Sequence, residues 1–208
     1  MIKSTTIAVL AVALGGCARG GVPSADFETT AGATLAPVRM AASRQQLPSS
    51  SMSFKLVSSA FEEGGSIPTK YTCEGADTSP QLTWSDPPVG TKSFALIVDD
   101  PDAPDPSHPK MTYVHWVAYN ISATVMQLAE GAGKGAMPAG ASVGLNDWKK
   151  SEFGGPCPPI GRHRYFFKIH ALDTMLDLSH PTKPDLENAM KGHVLGKAEL
   201  MGTYQKLK

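Results

Sequence analysis

The 208-residue chain has no surplus of either charge: 19 Lys and Arg stand against 19 Asp and Glu, and charged residues make up only 18% of it. A nucleic-acid binder gains affinity by neutralising phosphates with a basic patch or stripe. With neither present, nucleic acid drops out as a partner. Long hydrophobic runs are missing too. The stretch Ile7–Leu14 is far short of the roughly 18 residues that mark a membrane-spanning helix. No internal repeat is visible, and helical periodicity is absent until late in the chain. Cysteine is scarce, with three in all. Turn residues, by contrast, are plentiful: 20 Gly and 17 Pro together make 37 of 208 residues, which suggests many turns and few long helices.

The first sixteen residues, MIKSTTIAVLAVALGG, place one Lys3 before a short apolar core and end in small residues, the form of a secretory signal peptide. The sequence L-G-G-C around Cys17 resembles the lipobox of bacterial lipoproteins. That resemblance implies cleavage before Cys17 and diacylation of its thiol. The alternative is a plain signal peptide cut near Ala18. Ala18 in place of Asp after the Cys points to export toward an outer membrane, so the expected location is the periplasmic side of a bacterial membrane. Removing residues 1–16 leaves the charge near zero, so a lipid and not electrostatics would attach the protein. Residues 17–52 are rich in Ala, Ser, Gly, Thr and Pro without sustained periodicity and read as a flexible, lipidated tether. A folded domain is expected over 53–208.

Within that domain, short apolar runs bounded by turn residues read as strands at Phe54–Ser58, Ile67–Thr72, Gln81–Trp84, Lys92–Val98, Tyr113–Ile121 and His163–Leu172. Two-residue alternation places Asp100 on the face of Phe94, Leu96 and Val98. It places His115 with Tyr113, Val117 and Tyr119, and His163 and Tyr165 with Phe167 and Ile169. Buried polar groups need partners, so these three strands are expected to bring theirs to one cleft. Thr182 or Asp185 caps an expected helix through Leu186, Ala189 and Met190, with Gly192 as its stop. Lys197–Tyr204 reads as a final strand or a helix, with strand preferred. The expected class is mainly β, an antiparallel sandwich or barrel with one or two short helices near the C-terminus.

Two stiff loops frame the expected cleft. In DDPDAPDPSHP (Asp99–Pro109) four prolines remove N–H donors and fix φ, so the strand is expected to stop there with Asp100 and Asp102 held in place. In GGPCPPIGRHRYFF (Gly154–Phe167) the glycines Gly154, Gly155 and Gly161 permit backbone conformations in which amides converge on an anion. Strict alternation turns Arg164 to the opposite face, as a structural residue. His108, His170, His180 and His193 are expected at the surface or in loops.

These loops, with V-H-W (Val114–Trp116), resemble the phosphatidylethanolamine-binding protein family, and in particular its bacterial Raf kinase inhibitor-like branch. The segments KYTCEGADTSPQLTW, GLNDW and LDTMLDL extend the resemblance over about Ser53 to Gln205. It implies a Greek-key β-sandwich with a small anion-accepting pocket at one end. Carried over by position, the ligand residues are Asp100, Pro104, His115, Gly155, Pro156, His163 and Tyr165. Cys157 stands where non-bacterial members have a second Pro after Gly-Pro, and that contact is open.

Chemically, His115, His163 and Tyr165 would supply side-chain hydrogens to a phosphate-like anion and the glycine loop its amides. Asp100 would orient one His and favour its charged form, so binding would strengthen as pH falls. No metal or other cofactor is expected, although two His and a carboxylate would suit a metal. Ser142 in GASVG matches a nucleophile pattern but lacks the strand-to-helix setting it requires. Cys73 and Cys157, the two thiols left beside Cys17, either pair or pack as free thiols. The expected function is non-catalytic binding of a small anionic ligand, phosphate- or phosphoethanolamine-like. The alternative is a protein-interaction or inhibitor module that accepts a partner's acidic or phosphorylated group, and a homodimer is compatible with the resemblance.

Overall fold

The computed structural model describes residues 53–207; the expected signal peptide, the tether and Cys17 lie outside them. Eight strands and one α-helix make up the regular structure of this part. They are β1 (Lys55–Val57), β2 (Leu82–Ser85), β3 (Ser93–Ala103), β4 (Met111–Ser122), β5 (Gln127–Leu128), β6 (Ser142–Val143), β7 (His163–Leu172), α1 (Lys183–Ala189) and β8 (Val194–Tyr204). A three-stranded sheet runs β1-β2-β5 and a five-stranded one β6-β4-β3-β7-β8, every pair antiparallel. Within the larger sheet β7 returns beside β3, on the side away from β4 and β6, after the chain has crossed to the smaller sheet at β5, a Greek-key-like order. No described helix is long and apolar enough to cross a membrane.

β3 lies between β4 and β7, which pair both of its edges, and a separate apolar cluster covers each of its faces, so nearly every residue is buried. Phe94, Leu96 and Val98 point between the sheets, into a core with Trp84, Trp116, Phe167 and Ile169. Ala95 and Ile97 point the other way and pack with Val117, Leu172 and Leu186 beneath α1. This two-sided burial reproduces the alternation expected of the sequence. α1 begins at a capping box in which Thr182 and Asp185 satisfy each other's backbone amides, and Gly192 takes a left-handed φ of +82° just beyond its end.

Two element assignments differ from the sequence reading. Ile67–Thr72 is not a strand. Ser66 makes a single bridge to Thr203, and Pro68, which cannot donate to a ladder, leads into a 3-10 turn at Thr69–Tyr71. β3 does not stop at Pro101 but continues to Ala103, through a register shift between Asp100 and Ala103, and the cis bond Ala103–Pro104 follows. An irregular ladder leaves room for a residue that lacks an N–H, so the proline is tolerated. His170 is also misplaced by the reading: it is buried on β7, 8% exposed. Burial, together with Lys197, pushes its ring down to about 4.

α1 is fastened to the sheet by charge. The fully buried Asp99 accepts from Lys168 Nζ at 2.7 Å and from Lys183 Nζ, on α1, at 2.5 Å. Asp99→Asn keeps the shape and removes the charge that both lysines need. The expected loss is about 2–3 kcal/mol, below the range for a fully buried pair because both ammonium groups reach water. Urea denaturation of the variant measures it, and an unchanged midpoint would show that the lysines simply turn outward.

Candidate functional site

The ends of β3, β4 and β7 meet at one edge of the sandwich and enclose a cleft of about 320 Å³. β3 contributes Asp100 and Ala103, and Pro104 follows directly; β4 contributes Met111, Tyr113 and His115; β7 contributes His163 and Tyr165. Trp148 closes one side, and Cys157, Pro158 and Pro159 close the other. Five of the seven expected ligand residues therefore converge: Asp100, Pro104, His115, His163 and Tyr165.

Gly155 and Pro156 do not line the cleft. The Gly155 amide donates to Asp77 Oδ1 at 2.7 Å, and the Pro156 carbonyl accepts from the Cys73 amide at 3.1 Å. The Gly154 amide is likewise engaged, with the His115 carbonyl. These bonds hold the loop down, so its glycine amides are not the converging donors expected from the sequence. Gly154 serves a steric purpose instead: a Cβ there would run into the Trp148 ring. Gly161 turns the chain with φ +73°.

The loop is also tied covalently. Cys73 and Cys157 form a disulfide with Cα atoms 5.4 Å apart, 84 residues apart in sequence. A bridge over that span contributes about 4–5 kcal/mol in the chain-entropy account. Cys157 thereby lines the cleft where the resemblance left the contact open.

The polar groups divide into those already partnered and those left free. His163 is fully buried, with Nδ1 donating to Asp100 Oδ2 at 2.7 Å and Nε2 donating to the Ile160 carbonyl at 2.9 Å. Both its nitrogens are spent inside the protein, so His163 positions Asp100 and does not offer a hydrogen to a ligand as expected. Asp100 Oδ1 accepts the Asp102 amide at 2.8 Å. His115 gives Nδ1–H to the Gly154 carbonyl at 2.7 Å. Burial pushes its ring below the usual imidazole range, and the Gly154 bond and the carboxylates of Asp100, Asp99 and Asp147 do not reverse this. The Asp100 carboxylate thus pairs with His163, while His115 stays neutral at pH 7 and presents Nε2 to the cleft as a lone pair. Tyr165 is 1% exposed and its hydroxyl has no hydrogen-bond partner. Burial, then the nearby Asp100 and Asp102, pushes its ionisation up, and the Cys157 amide, short of hydrogen-bond geometry, opposes this weakly. Tyr165 therefore stays a hydroxyl.

The walls are aromatic. Trp148 stands edge-on to Tyr113 and His115, with centroids 4.8 and 5.1 Å away, and His115 is edge-on to Tyr165 at 5.2 Å. The sequence reading did not count Met111, Tyr113, Trp148, Pro158 and Pro159 as ligand contacts. The signal for Tyr113 was its place on the His115 face, and for Trp148 its position closing GLNDW. Ser142 lies in the two-residue β6, paired with β4, without the following helix of a nucleophile elbow. Among the described residues no three His, Cys, Asp or Glu side chains are grouped to hold a metal ion.

The model of the phosphatidylethanolamine-binding protein family matches residues 57–205 of this chain. The chain belongs to the phosphatidylethanolamine-binding protein family. Relatives include a UPF0098 protein of Chlamydia pneumoniae, 46% identical over 153 residues, covering 73% of this chain and 99% of the relative. Another, from Methanothermobacter thermautotrophicus, is 46% identical over 149 residues, covering 71% and 95%. Among solved structures, a phosphatidylethanolamine-binding protein homologue of Chlamydia trachomatis superposes with TM-score 0.68 at 44% identity, covering 74% of this chain and 99% of that one. Escherichia coli YbcL, described as a member of the mammalian family, gives TM-score 0.68 at 36% identity with the same coverage. The family's sandwich is thus the fold of this domain, and the cleft lies within the matched span.

Arg164, turned away from the cleft as expected, grips Asp102 with Nε at 2.9 Å and Nη2 at 2.6 Å, and its amide donates to Asp102 as well at 2.9 Å. The Arg164 side-chain bonds hold the Asp102 carboxyl below the usual carboxylate range. A depressed folded-state value means that the stabilisation is present above the ordinary range and is lost as pH falls through the depressed value. Arg164→Gln is expected to move the acid-unfolding midpoint to higher pH, read by circular dichroism. An unmoved midpoint would assign acid unfolding to other carboxylates.

Proposed function

We propose that the domain binds, without turning it over, a small molecule whose phosphate-like or other acidic head group reaches the floor of the cleft. The observation that carries this reading is the Tyr165 hydroxyl: buried, unpartnered and on a cleft-lining ring 5.2 Å from that of His115. A buried donor is almost always paired, so one left free at the bottom of a cleft is suited to a ligand. The apolar walls of Trp148, Met111 and Pro159 would take the ligand's uncharged part. Turnover finds little support there: the lining thiol is locked in a disulfide and the lining phenol stays protonated.

NMR of the histidine ring signals during titration with inorganic phosphate and phosphoethanolamine tests the reading. Saturable shifts of His115 are expected, with affinity reduced about tenfold in Tyr165→Phe, the worth of one hydrogen bond. No shift at millimolar ligand would remove the small-ligand function.

A second reading is favoured by half-exposed Met111 and Trp148 at the mouth, with exposed Ile160 beyond Pro159. Here the cleft takes an acidic or phosphorylated side chain of a partner protein, or of a second copy, and the exposed apolar residues meet the surrounding surface.

We further propose that the protein is exported and lipid-anchored at Cys17, supported by the apolar segment and L-G-G-C of the sequence. Cys17→Ser expressed in a bacterium is expected to leave the membrane fraction and lose radiolabelled palmitate. Retention of both would overturn the anchor.

A further inference from the structure

The hydrogen-bonding polarity of the cleft restricts the form in which it can accept an acid, an inference that rests on the binding reading above. A fully ionised phosphomonoester presents only acceptors. Its natural counterparts are cationic side chains and free N–H groups, and this cleft is poor in both: of the amides in the Gly154–Cys157 loop, that of Cys157 alone has no hydrogen-bond partner. No Lys or Arg lines it. Arg164 is bound to Asp102. His163 has given both N–H groups to Asp100 and Ile160. The neighbouring amides of Gly154 and Gly155 are taken by the His115 carbonyl and Asp77.

What remains, besides the Cys157 amide, is a side-chain donor and a side-chain acceptor on rings whose centroids lie 5.2 Å apart. The donor is the Tyr165 hydroxyl. The acceptor is His115 Nε2, because the Gly154 carbonyl can only accept and so fixes the ring proton on Nδ1. The groups around His115 reinforce this pattern. From β3 come the carboxylates of Asp99 and Asp100; Tyr113 adjoins on β4; Tyr165 comes from β7; Asp147 and Trp148 come from the following loop. Asp99 in that shell is paired with two lysines and Asp100 with His163, which leaves Asp147 to disfavour a second negative charge on a ligand. A head group that fits both side-chain positions must donate one hydrogen bond and accept one.

We propose that the cleft takes its acid ligand in the singly protonated form, the ligand's own O–H donating to His115 Nε2 while another of its oxygens accepts from Tyr165. For a phosphomonoester the P–OH group supplies that proton. A dianion from solution must therefore acquire one proton to bind, and the proton enters the complex between the ligand oxygen and Nε2. No bond to phosphorus is made or broken.

Phenyl phosphate and its methyl diester are the test ligands, titrated into the full protein between pH 6 and 8.5. The monoester has a second ionisation near pH ~6, so its affinity is expected to fall about tenfold per pH unit above that value. Calorimetry in two buffers of different ionisation enthalpy should show one proton taken up on binding at pH 8. The diester keeps a single negative charge but has no proton to donate, and it is expected to bind at least tenfold more weakly than the monoester at pH 6.

His115→Gln supplies an amide that can donate to an ionised oxygen, so its pH slope should flatten while binding persists. Its near-ultraviolet circular dichroism checks that the fold is kept. Saturable monoester binding with no proton uptake and no pH slope, or a diester that binds as tightly as the monoester, would overturn the inference and leave the binding function standing. Failure of both ligands to bind at every pH would overturn both.

Discussion

Three carboxylates at the end of β3 meet three basic residues of β7, and the site depends on that pairing. Asp99 holds Lys168, Asp100 holds His163, and Asp102 holds Arg164. All three acids are buried, and a buried carboxylate without a partner would cost several kcal/mol. The two strands are thus held together by charge at the end where the ladder of β3 becomes irregular. Lys183 extends the same network to α1, so one cluster fastens strand, neighbouring strand and helix.

That fastening determines what is left for a ligand. A polar side chain satisfied by the fold has nothing further to give, and His163 is the clear case. In sequence it stands beside Tyr165 as an equal candidate; in the structure it belongs to Asp100 and Ile160. His115 is half committed, with one nitrogen on Gly154 and the other open. Tyr165 is uncommitted. The cleft therefore holds neutral and balanced groups within aromatic and proline walls, where the sequence read as histidine-rich. An anion site built from lysines would recruit by long-range attraction. Under the proposed binding function, a cleft built as here would discriminate at contact, through hydrogen-bond direction.

Much of this was legible in the chain itself. Alternation along Lys92–Val98 and His163–Leu172 identified the faces that carry the cleft, because period two is imposed by the pleat wherever a sheet has a buried face. It also turned Arg164 away from the site. On β4 the strand was legible, but a register shift at His115 turns it to the side of Tyr165, away from Val117 and Tyr119, which pack on the α1 side. The Ile67–Thr72 run misled because β-branched residues raise strand propensity while Pro68 removes the ladder donor, and propensity is the weaker of the two. His170 misled because alternation on a strand covered on both faces cannot tell a surface from a second core.

The sequence by itself determined the mainly β class, the long central strands, the capped helix and the residue types gathered at the cleft, because these follow from local periodicity, proline geometry and capping chemistry. Only the tertiary structure decided which partner each polar group takes. Asp100 could have oriented either histidine, the Gly155 amide could have faced a ligand or Asp77, and Cys73 and Cys157 could have stayed apart. Each outcome turns on atoms brought within about 3 Å from segments distant in the chain. Hydrogen bonds and disulfides exist only at such separations, and no spacing along the sequence encodes them.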